Sequence, residues 1–108
     1  MNLFGYRFFV VAGLMITASI GYAAEQAIDQ VNQKFSVSSA EIKTGDSLKF
    51  TNHDDVSHNI NVIDDDGNAE DQGIQKPGEV ISKTFDKAGK FEIRCAIHPR
   101  MKMSVKVD

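Results

Sequence analysis

The strongest signal in this chain is alternation of apolar and polar side chains with a period of two. Ser47-Leu48-Lys49-Phe50-Thr51 puts Leu48 and Phe50 on one face, and His58-Asn59-Ile60-Asn61-Val62 sets His58 beside Ile60 and Val62. Phe91, Ile93 and Cys95 share a face, with Glu92 and Arg94 opposite, and Met101 to Val107 keeps its apolar set at odd positions. Val80 to Phe85 is rich in β-branched residues, and Phe35-Ser36-Val37-Ser38 alternates briefly. A period of two is that of a half-buried strand. Ala27 to Lys34, polar apart from Ile28 and Val31, reads as an edge strand.

Turn signals separate these runs at Gly45-Asp46, Asp64 to Asn68, Pro77-Gly78 and Asp86 to Gly89. Asn52 to Ser57 reads as a polar loop, as does the stretch from Asn68 to Pro77. No convincing helical period occurs after the first quarter of the chain. About six to eight short strands with frequent turns predict an all-β sandwich or barrel.

The amino-terminal segment follows another pattern. Arg7 precedes an uncharged run from Phe8 to Ile20, and small residues follow at Gly21, Ala23 and Ala24. That order is a secretory leader. The run is shorter than the ~20 residues that span a bilayer, so no membrane anchor is expected. Residues 1–23 are assigned to a signal peptide, cleaved after Ala23 or Ala24, and residues 24–108 to one domain exported to the periplasm.

Loss of Arg7 with the leader moves the net charge from −3 to about −4. No basic cluster is present, which disfavours nucleic acid and anionic membrane surfaces. A domain of about 84 residues has a thin core and needs a staple. Its single cysteine cannot form an internal disulfide. A metal at Cys95 would both staple the domain and protect the thiolate.

Candidate ligands cluster in Cys95-Ala96-Ile97-His98-Pro99-Arg100-Met101, a short loop between two alternating runs. Singly, each has an ordinary reading: Cys95 as a small buried hydrophobe, His98 as a loop histidine, Met101 as core. Together, at C-x2-H-x2-M, they point to a metal. His58, placed inward by parity, adds a fourth donor, and an inward imidazole needs a partner. Zinc sites of the structural type use at least two cysteines. One thiolate, two imidazoles and a thioether instead suit a copper ion that transfers electrons. Met103 competes with Met101 but lies further along the strand; His53 competes with His58 but sits among aspartates in the polar loop. The acidic run at Asp64 to Asp66 fails the calcium-loop pattern, since its first position would be Val62.

These residues resemble the type 1 blue copper proteins, the cupredoxins. The likeness is carried by Thr44 to Asn52, Ser57 to Ile60, Phe85 to Cys95 and the ligand loop, whose spacing resembles the amicyanin type rather than the longer loops of the plastocyanin and azurin types. It implies a Greek-key β-sandwich with His58, Cys95 and His98 as equatorial ligands of one copper ion and Met101 as the axial one. It also implies that the Asn59 N–H bonds the cysteine sulfur. Ile97 stands where amicyanin-like loops carry proline, which leaves one more amide near the sulfur. The expected function is single-electron transfer by Cu(I)/Cu(II) cycling, not enzymatic catalysis; a periplasmic copper carrier is the alternative. The expected partners are redox proteins, by analogy a dehydrogenase and a c-type cytochrome, met by a monomer.

Overall fold

A computed structural model describes residues 22–108. The expected leader falls almost wholly outside the described residues. Within them the chain forms nine strands and no helix: β1 (Glu25–Val31), β2 (Lys34–Phe35), β3 (Ser39–Ile42), β4 (Ser47–Asn52), β5 (His58–Ile63), β6 (Ala69–Gln75), β7 (Val80–Thr84), β8 (Gly89–Arg94) and β9 (Lys102–Val107). They make two sheets, in the orders β2-β1-β4-β7 and β3-β9-β8-β5-β6. The expected β-sandwich is therefore present. Both sheets are mixed: β1 runs parallel to β4, and β3 parallel to β9.

The core lies where the alternating faces meet. Ile28, Leu48, Phe50, Ile60 and Ile93 are fully buried, with Met103, Val105 and Val107 nearly so. Each such side chain contributes about 1.5–3 kcal/mol by leaving water. Phe35 packs edge-on against Phe50 with ring centroids 6.0 Å apart, so even the two-residue β2 is anchored.

Four expectations need correction. The strands number nine rather than six to eight. Ala27 to Lys34 is not one edge strand: it holds most of β1, a turn and the start of β2, which covers β1 only at Gln30 and Val31. The run Phe35 to Ser38 does not form one strand: β2 ends at Phe35, and Val37 is exposed in the bend before β3. The stretch read as loop after Asn68 is β6, the edge of the five-stranded sheet. Most of its side chains face solvent, so polarity there reflects an edge rather than a loop.

Buried polar groups join the sheets beneath the ligand end. Gln30 on β1 donates from Nε2 to Gln75 Oε1 on β6 at 2.8 Å. Gln75 Nε2 in turn donates to the Phe50 carbonyl at 3.0 Å. Both glutamines are fully buried, where a hydrogen bond left unmade would cost about 1–3 kcal/mol.

Candidate metal centre

The carboxyl end of β8 and the start of β9 are antiparallel neighbours, paired at Arg94 and Lys102. The Cys95 N–H donates to the Met101 carbonyl at 3.3 Å and closes the loop. Inside it, the Cys95 carbonyl accepts the His98 N–H at 3.3 Å, and the His98 carbonyl accepts the Met101 N–H at 2.9 Å. The loop is thus two consecutive three-residue steps. C-x2-H-x2-M is the spacing that puts a donor at the joint of each step. Pro99 follows the joint at His98, where its fixed φ suits the second position of a turn and no N–H is needed.

His58 arrives from the other side as the first residue of β5. Its Nδ1 lies 3.2 Å from His98 Nδ1 and 3.9 Å from Cys95 Sγ, and Sγ lies 3.6 Å from His98 Nδ1. The point equidistant from these three atoms is about 2.1 Å from each, within the ~2.0–2.1 Å of a metal–imidazole bond and just inside the ~2.3 Å of a metal–thiolate bond. The donor triangle therefore fits a first-row metal ion. His58, Cys95 and Met101 are buried, whereas His98 is half-buried. Met101 lies at the loop's end and Met103 inside β9. His53 is exposed and contacts Asp29 at 3.1 Å, away from this group.

The sulfur is also held from behind. The Asn59 N–H donates to Cys95 Sγ at 3.3 Å. The Asn59 side chain then ties the loop to the sheet: Oδ1 accepts the Ala96 N–H at 2.9 Å, and Nδ2 donates to Asp71 Oδ1 and to the Gly73 carbonyl. Gly73 sits in a bulge of β6, where the register with β5 shifts between Asn59 and Asn61. Its φ of 109° is open to glycine and strained for other residues. Among the described residues no hydrogen bond joins the Ile97 N–H to Sγ.

One contact was not anticipated from the sequence. His58 Nε2 lies 2.7 Å from Asp54 Oδ2, and the Asp54 side chain is 10% exposed. Burial opposes its charge, but the Gln33 amide, the His58 ring and the Asn32 amide outweigh burial and hold its pKa below the usual aspartate value. The only hint in the sequence is its place four residues before His58, in a loop that reads as solvated. The acidic turn at Asp64 to Asp66 is not part of the centre. It lies beyond the far end of β5, about 17 Å along the strand from His58, and Asp64 is engaged with Asp66 and Asn68 of its own turn.

The family model for copper binding proteins of the plastocyanin/azurin type matches residues 22–108. The chain belongs to this family. Its cofactor is copper, and a donor set of one thiolate, two imidazoles and a nearby thioether agrees with that metal. A methylamine utilization protein MauL from Methylorubrum extorquens is 37% identical over 65 residues, covering 60% of this chain and 57% of the relative. Amicyanin from Paracoccus denitrificans is 28% identical over 83 residues, covering 75% of this chain and 63% of that protein. The chain thus matches less than two thirds of the length of these curated relatives. A reduced-state amicyanin variant superposes with a TM-score of 0.70 at 25% identity, over 77% of this chain and 81% of the other.

Proposed function

We propose that this cupredoxin is a soluble single-electron carrier of the periplasm. In this reading His58, Cys95 and His98 would hold the copper, with Met101 as a fourth, weaker donor. The bound ion supplies the one-electron couple. The protein's task is to keep the donors where they are. Cys95, His98 and Met101 are fixed by the three backbone hydrogen bonds of their loop, and the sulfur by the Asn59 amide. A frame tied in this way leaves little reorganisation to accompany electron transfer.

The observation that carries the reading is the triangle of donor atoms, buried at His58 and Cys95 and half-buried at His98. With Met101 as the fourth donor, the set has no position dedicated to a substrate, which argues against an enzyme. His98, with exposed Ile97 and Pro99 beside it, is the route by which an electron enters or leaves. The name of one relative, a methylamine utilization protein, supports redox partners in methylamine utilisation; by analogy the neighbours are a dehydrogenase and a c-type cytochrome.

Export fits the amino-terminal leader. A cut after Ala23 would place the new α-ammonium at the nitrogen that lies 2.9 Å from Asp46 Oδ1. The intact mass of the exported protein checks this; a mass that retains residues 1–23 would exclude it.

The central test is to load the purified domain with Cu(II). A strong thiolate-to-copper absorption in the visible range, lost in Cys95→Ser, is expected, together with reversible redox cycling that retains the metal. A colourless complex would overturn the assignment, and ready loss of copper to a chelator would point to a carrier of the ion itself.

A further inference from the structure

Asp54 is placed with more care than a surface loop requires. Asn52, fully buried at the end of β4, accepts the Asp54 N–H on Oδ1 at 2.9 Å and donates from Nδ2 to the Val56 carbonyl at 2.9 Å. The loop is therefore shaped from within. Asp54 then spends both oxygens. Oδ1 accepts the Asn32 N–H, and Oδ2 accepts the Gln33 N–H at 2.8 Å and faces His58 Nε2 at 2.7 Å. Asn32 and Gln33 are the described non-glycine residues with positive φ, 55° and 57°, and they form the turn between β1 and β2. A two-residue turn of this hand costs backbone energy unless something holds it.

We propose that Asp54 is the positioning residue of the copper site: its carboxylate fixes the His58 tautomer and orientation and clamps the β1–β2 turn against the metal centre. This rests on the reading of His58 as a ligand. Asp54 is a pure acceptor when ionised, so the short contact requires the proton on His58 Nε2. Nδ1, the atom that faces Cys95 and His98, is then left with its lone pair free for the metal. The negative charge next to a ligand ring favours the more positive state of the site, Cu(II) over Cu(I). Neither effect is shared by a backbone carbonyl, which carries no net charge.

The clamp also defines one wall of the site's mouth. Asn32, Gln33 and Lys34 line the same depression as Ile97, His98, Pro99 and Arg100. Asp54 thus couples the ligand ring to the surface that a partner would touch beside His98.

Asp54→Asn tests the charge and the acceptor geometry together. An amide can accept with one atom only, so it must release either His58 or a turn amide. The expected result is a protein that still turns blue with Cu(II) but binds Cu(II) about 10- to 100-fold more weakly, with a smaller loss for Cu(I) and hence a raised reduction potential. Asp54→Glu should recover part of the shift. Equal weakening of both oxidation states, or a potential and Cu(II) affinity within twofold of the parent, would overturn the proposal. Where Asp54→Asn does not fold, nitrogen-15 NMR of the unsubstituted protein decides: the His58 proton is expected on Nε2, and a bare Nε2 overturns the proposal. Loss of the blue band in the parent protein itself would instead refute the copper-ligand reading beneath it.

Discussion

At the scale of single residues, the two methionines of the β8–β9 region divide between the proposed ligand, Met101, and the core, Met103. Both are buried and share strand parity, so neither burial nor pattern alone tells them apart. Met101 closes the ligand loop through the His98 carbonyl, while Met103 pairs with Ile93 within the sheet. Met103→Ala is expected to cost about 2–5 kcal/mol in unfolding free energy and to leave the visible spectrum of the copper form unchanged. Met101→Ala is expected to move that spectrum and the reduction potential. Denaturant melts and absorption spectra of the two variants check this, and a spectrum that responds to Met103 alone would reverse the assignment. The three donors that the structure gathers, His58, Cys95 and His98, were legible in the sequence because each is of a chemically rare type and the loop dictates the spacing of the last two. Asp54 was not legible. Aspartate is common in polar loops, and its role depends on Asn32 and Gln33, more than twenty residues away in the chain.

At the scale of elements, the strands that alternate cleanly appear where the pattern puts them: β4, β5, β7, β8 and β9. The others fail for separate reasons. β6 alternates poorly because it is an edge, and its bulge at Gly73 breaks the period. β2 is too short for any period to show. β1 reads as an edge because its polar residues include Gln30, yet Gln30 is buried and its Nε2 donates to Gln75, a pairing set by tertiary structure alone. β1 is also held at its start. Asp46 accepts N–H groups from Ala24 and Lys43, and these, with the Lys43 charge, outweigh a small burial effect and lower its pKa. A carboxylate with a folded pKa below its unfolded value stabilises the fold above the unfolded value, and that contribution fades as pH falls through the lowered folded value. The parent should therefore exceed Asp46→Asn in stability near neutral pH, with the gap closing in acid. Melting temperatures of both proteins across that range measure it; a gap that widens in acid would contradict the sign.

At the scale of the whole molecule, the copper centre bridges parts of the chain that the core alone holds loosely. β5 brings His58, the β8–β9 loop brings Cys95, His98 and Met101, and Asp54 adds the β1–β2 turn of the other sheet. A domain of this size has few core side chains to spare and no disulfide. An ion bound only by the folded state adds stability by mass action, about 4 kcal/mol when free copper is a thousandfold above its dissociation constant. In a domain of 60–100 residues each kcal/mol is worth roughly 4–8 °C in melting temperature. Copper should therefore raise the melting temperature by about 15 °C or more under those conditions, and a chelator should reverse the rise. The ligands bind as thiolate and neutral imidazoles, so the increment should shrink as pH falls through the range in which unbound histidine takes up a proton. Calorimetry with and without copper at several pH values checks both statements. In Cys95→Ser the increment should largely vanish while the metal-free melting temperature stays near that of the parent. A copper increment of equal size in that variant would mean that the metal is held elsewhere and that the β8–β9 loop is not the staple.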